Sequence, residues 1–89
     1  MAKSKPQLPN VTDYLDFRVF LQDWFEAKKR FNSRYSHRVF VRMAGKKSPS
    51  LLKEVIEGKR KLSSGAMGGF VKALWLNGAE ESYFSDLVA

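Results

Sequence analysis

SHRVFVRMAGKKSPSLLKEVIEGKRKL, residues 36–62, is the stretch from which the fold of this chain can be read. Phe40, Met43 and Ala44 recur at i, i+3 and i+4, so they share one face of a short helix. Gly45 follows, a residue that takes positive φ without steric cost and so ends a helix sharply. Ser48-Pro49 predicts the next helix start: a hydroxyl to cap free N–H groups, then a proline whose missing N–H is not needed. Leu51, Leu52, Val55 and Ile56 form a second apolar stripe, Gly58 stops it, and Lys59-Arg60-Lys61 comes next. Two short helices joined through a glycine, with cations at the turn and beyond the second helix, have the outline of a helix-turn-helix.

Around this stretch the chain is small and basic. It has 89 residues, 44% of them hydrophobic and 13% aromatic, which suffices for one cored domain. There is no cysteine, so no disulfide staples it. The first residues, MAKSKPQLP, lack the apolar core of a signal peptide, and no apolar run reaches the length of a membrane span. The expected location is therefore the cytoplasm. The net charge is +7, and its placement says more than its size. Arg34, Arg38, Arg42, Lys46 and Lys47 fall within residues 32–47, where there is no acid at all. Positive charge focused on one supersecondary motif points to nucleic acid more strongly than a basic average does.

Residues 1–11 read as a flexible leader, with Lys3 and Lys5 as at most a weak basic arm, and residues 12–89 as the helical domain. Thr12 or Asp13 is the expected start of the first helix, with Asp13 and Asp16 as a capping pair. Tyr14, Phe17, Phe20, Leu21, Trp24 and Phe25 make its aromatic, core-facing side, and Lys28-Lys29-Arg30 closes it where cations suit the helix dipole. Asn32–Tyr35 is a connection, and Ser36 caps the next helix. Ser63 or Ser64 opens a fourth helix carrying Met67, Phe70, Val71, Leu74 and Trp75. Gly65, Gly68 and Gly69 inside it imply either a frayed first turn or a close approach by another backbone. Asn77 with Glu80 caps a fifth helix whose apolar side is Tyr83, Phe84, Leu87 and Val88. The apolar ending raises the expectation that a longer protein continues past Ala89, or that this end docks on a partner. The whole reads as an all-α bundle of about five helices.

Several stretches together resemble the N-terminal region of the Fibrobacter paralogous family, bacterial proteins also numerous in Bdellovibrio-type predators. They are YLDFRVFLQDWFEAKK (14–29), SPSLLK (48–53), GKRKLS (58–63), KALWLN (72–77) and ESYF (81–84). The likeness spans nearly all of residues 10–89. It implies a helix-turn-helix of the lambda-repressor type, followed in full-length members by a longer C-terminal domain, and a role as transcription regulator. Val41 departs from that pattern, which favours a small residue four before the turn glycine; Ala44 could supply the room instead. The turn after Gly45 also looks one residue long, and the glycine cluster replaces polar helix formers.

The leading expectation is double-stranded DNA binding, with the second motif helix, about Ser48 to Glu57, entering the major groove. Ser48, Ser50 and Lys53 would face base edges or nearby phosphates, and Arg42, Lys46, Lys47, Lys59 and Arg60 would hold phosphates. That helix lacks the Arg, Gln and Asn side chains that read bases bidentately. Specific regulation would need a homodimer, plausibly made through a missing C-terminal region. The competing expectation is a helical protein–protein docking or adaptor module, with Leu51 and Trp75 as exposed apolar anchors; Trp75 could equally pack on the last helix. His37, the only histidine, either touches a phosphate or lies exposed without a role, and it has no second soft ligand with which to share a metal. No nucleophile–base pair, metal-ligand set or cofactor fingerprint supports an enzyme.

Overall fold

The structure, a computed structural model, describes residues 8–88. It is all-helical over these residues. A single 3-10 turn, Val11–Asp13, precedes helices α1 (Phe17–Phe31), α2 (His37–Met43), α3 (Leu51–Ile56), α4 (Ser64–Leu74) and α5 (Gly78–Val88). None of the described helices is long and apolar enough to cross a membrane.

Helix α1 organises the bundle. Its aromatic stripe buries Phe17, Phe20, Leu21, Trp24 and Phe25, packing against α3 on one side and α5 on the other. Phe84 of α5 is fully buried, edge-on to Phe17 and Phe20 at centroid distances of 6.3 and 6.1 Å. Phe40 of α2 meets Trp24 at 5.8 Å and Phe70 of α4 at 5.0 Å, so two aromatic groups, both rooted on α1, tie it to α5 on one hand and to α2 and α4 on the other. Edge-to-face pairs at these distances contribute about 0.5–1.5 kcal/mol each beyond the area they bury.

The helix ends explain where the elements begin and stop. The hydroxyls of Ser36 and Ser63 accept the N–H groups of Val39 and Ala66, each at 3.3 Å. Asn77 and Glu80 cap α5 reciprocally, at 2.9 and 3.0 Å. At the other ends, α2, α3 and α4 close in one way. The residue at positive φ donates to a carbonyl three back, and the next residue donates to a carbonyl five back. The positive-φ residues are Gly45 (φ 75°), Gly58 (φ 78°) and, at the end of α4, Trp75 (φ 59°).

Several boundaries differ from those expected. Helix α1 starts at Phe17, capped by the Asp16 carboxylate on the Arg18 N–H at 2.9 Å, and not at Thr12 or Asp13. Asp13 belongs to the preceding 3-10 turn, which Asn10 caps. The Tyr14 hydroxyl, in the extended link between turn and helix, donates to Asp23 at 2.7 Å. Burial first, and that bond second, push the Tyr14 phenol up to about 12. Helix α3 starts at Leu51, not at Ser48, because Pro49 and Ser50 form a turn closed by the Leu51 N–H on the Ser48 carbonyl at 3.1 Å. Ser50 stands at the N-cap of that helix, but its side chain makes no capping hydrogen bond. Val11 is buried and packs with the 3-10 turn against α5, and Leu8 lies half-buried beside the core, so the core reaches into the leader. Lys3 and Lys5 lie outside the described residues. On α2, Met43 points outward and Val41 takes the buried place.

Of the three glycines in α4, only Gly69 is approached by another backbone. A Cβ there would fall well inside 3.0 Å of the Ala44 carbonyl oxygen, whereas at Gly68 it would meet nothing within 4 Å. Ala44 does supply close approach, but to α4.

Candidate nucleic-acid interface

Arg38 and Arg42 lie one turn apart on α2, hence on one face. The closure at Gly45 reverses the chain and brings Lys46 and Lys47 back beside them. These four cations, with Val41 and Pro49, line one shallow cleft of about 220 Å³. No carboxylate of the described residues forms an ion pair with any of the four. Lys46 is half-buried, and its ammonium donates to the Gly65 carbonyl at 3.2 Å, tying the turn to the first turn of α4. Arg38, Arg42 and Lys47 are exposed and have no protein acceptor among the described residues.

The structure thus gathers Arg42, Lys46 and Lys47 as expected and adds Arg38. That residue could have been singled out in the sequence by its i, i+4 spacing from Arg42 within an acid-free segment. Ser48 is half-buried and Ser50 exposed, with their hydroxyl oxygens 3.5 Å apart next to the cleft. Ser50 donates to the Glu54 carboxylate at 3.2 Å.

The other expected contacts are placed elsewhere. Lys53 lines a different hollow, between α3 and α1, with Lys29, His37 and Glu57. Arg60 pairs with Glu54 at 3.1 Å and Lys59 with Glu57 at 3.4 Å, so acids of α3 and its C-cap engage these two of the three cations in Lys59-Arg60-Lys61. His37 is not a free surface group. Its ring stacks on Phe25 at 4.1 Å and 13°. Burial first, then the charges of Lys53 and Lys29, hold its imidazole below the ordinary 6.5. Leu51, expected as an exposed anchor, is only 6% exposed and belongs to the core. Trp75, the other expected anchor, is 71% exposed.

Chemically, the cleft offers two planar guanidinium forks and two ammonium groups at the end of a helix, a donor set suited to oxyanions and above all to phosphate diesters. No family model, curated protein or solved structure matches the chain.

Proposed function

We propose that this domain binds double-stranded DNA through the cleft between α2 and α3, as the DNA-binding part of a bacterial transcription regulator with a lambda-repressor-like helix-turn-helix. The observation that carries the proposal is the group Arg38, Arg42, Lys46 and Lys47 around one turn, without an acid partner among the described residues. Each cation that neutralises a backbone phosphate releases counterions, and this supplies affinity without sequence choice. Helix α3 would be seated by those phosphate contacts, with Ser50, just before its first residue, presented towards the groove. Glu54 and Glu57 on the same helix oppose deep insertion unless Arg60 and Lys59 keep them neutralised. Binding by one copy is therefore expected to be modest and phosphate-dominated, and specific recognition to require two copies.

The test is a titration of labelled duplex DNA with the protein and with a variant carrying Arg38→Gln, Arg42→Gln and Lys47→Gln. These three side chains are exposed and unbonded, so the fold should persist. Affinity should fall at least tenfold in the variant and much less in Arg60→Gln, whose guanidinium is already paired. Equal loss in both would disprove the assignment of the cleft.

A further inference from the structure

From the basic cleft a chain of polar contacts runs along α3. The Ser50 hydroxyl, beside the cleft, donates to one oxygen of the Glu54 carboxylate at 3.2 Å. The other carboxylate oxygen lies 3.1 Å from Nε of Arg60, just past the helix. The Arg60 and Glu54 side chains are 51% and 35% exposed, so the pair is open to solvent. Neither group is used up. A carboxylate has acceptor sites beyond the two engaged here, and a guanidinium has more N–H groups than a carboxylate met at Nε can occupy. The pair therefore holds a donor fork beside an acceptor. Its two charges cancel, so it can enter a groove walled by phosphates without the repulsion that a bare carboxylate meets. Lys59 and Glu57 are no equivalent, because they lie 3.4 Å apart and an ammonium is a point charge without a fork.

The major groove distinguishes base pairs by the order of their donors and acceptors. A G·C pair shows two acceptors, guanine N7 and O6, and then the amino donor at cytosine N4. An A·T pair shows acceptor, donor and acceptor, and then a methyl group. A donor fork beside an acceptor matches the first order and clashes with the second. We infer, resting on the DNA binding proposed above, that Arg60 and Glu54 together read one G·C pair in the major groove. The guanidinium donates to guanine N7 and O6, and the carboxylate accepts from cytosine N4. Ser50 steadies the carboxylate from the side of the cleft. Arg60 is then a base-reading residue and not the phosphate contact expected of it. The pair also supplies a bidentate reader that Leu51–Ile56 lacks, since no Arg, Gln or Asn lies within that helix.

The test is enrichment of a randomised duplex DNA library by the full chain, followed by sequencing of the bound pools. The parent protein, Glu54→Gln and Arg60→Gln are run side by side. The parent pool should carry a G·C pair at one fixed position, and replacing it with A·T should lower affinity about fivefold or more. Both variants, folded by circular dichroism, should lose that preference and keep most of their affinity for unselected duplex, because the cleft cations remain. In the selected duplex, 7-deazaguanine at that position removes the N7 acceptor alone. It should weaken binding by the parent protein and leave Arg60→Gln unmoved, whereas a merely structural Arg60 predicts the same change in both. Base reading by this pair is overturned if the parent protein binds duplex without enriching such a position, or if either variant keeps the preference undiminished. It is also overturned if 7-deazaguanine leaves the parent protein unchanged. No duplex binding at all by the folded parent protein overturns it together with the DNA-binding proposal; binding without preference overturns it alone.

Discussion

Replacing Gly69 with alanine should destabilise the domain, although the change improves helix propensity. Alanine is favoured over glycine in a helix interior by about 1 kcal/mol. At Gly69 the new methyl would meet the backbone of the α2 terminus, well inside 3.0 Å of the Ala44 carbonyl oxygen and 3.1 Å from its carbonyl carbon. Backbone in a closed helix end cannot swing aside as a side-chain tip can, so α2 and α4 must part. Forcing extra volume into a packed contact costs about 1–3 kcal/mol, and this contact lies at the severe end, so Gly69→Ala should lose about 1–2 kcal/mol net. Gly68→Ala is the control one residue away, on the open side of the same helix. It should gain about 0.5–1 kcal/mol, because only backbone entropy changes. For a domain of this size each kcal/mol moves the melting midpoint by about 4–8 °C, so the variants should bracket the parent protein and differ by at least about 6 °C. Thermal unfolding followed by circular dichroism reads the difference. If Gly69→Ala melts at or above the parent temperature, the close approach of α2 to α4 is wrong, and with it the placement of the turn that carries the cations.

Other consequences follow from single groups. Phe84→Ala removes a fully buried ring held between Phe17 and Phe20, and should cost about 3–5 kcal/mol in urea unfolding. Asn77→Ala breaks one half of the reciprocal cap of α5 and should cost about 1 kcal/mol by the same assay. Because the folded imidazole of His37 titrates below 6.5, the unfolded chain takes up that proton first. The stabilisation this provides is complete above the unfolded value and is lost as pH falls through it towards the folded one. Stability measured from pH 7.5 to 5 should therefore decline, and His37→Phe, which keeps a ring on Phe25, should flatten that part of the decline.

Features dictated by a few neighbouring residues were legible in the sequence. Gly45 and Gly58 end their helices at positive φ, Ser36 and Ser63 cap, and the Asn77–Glu80 box forms as its spacing requires. Misplaced boundaries arose where two local solutions compete. Asp13 and Asp16 can each cap, and only Asp16 does so for α1, while Tyr14 before it turns to Asp23. Ser48-Pro49-Ser50 can begin a helix or make a turn first, and the turn wins. Gly69 could not be separated from Gly65 and Gly68, because its neighbour is distant in the chain. Likewise the i, i+3, i+4 pattern assigned Met43 to the core with Phe40 and Ala44, but α2 packs against both α3 and α4, and Val41 is buried while Met43 is exposed. The cation list was legible as composition, not as geometry: Arg38 joins the cleft, while Arg60 and Lys59 pair with acids on the helix they follow. Trp75 is the residue least explained by local rules, since neither the helical stripe nor the turn chemistry asks for it there.

The most direct test of DNA binding at the α2–α3 cleft is the salt dependence of binding to duplex DNA, measured by fluorescence anisotropy from low to moderate salt. Four cations that each neutralise one phosphate should give a slope of log K against log salt of about −3 to −4, since each contributes about −0.9. Removing Arg38, Arg42 and Lys47 together should bring the slope to about −1. A slope that stays unchanged in that variant, or no binding at low salt by a folded domain, would contradict the account.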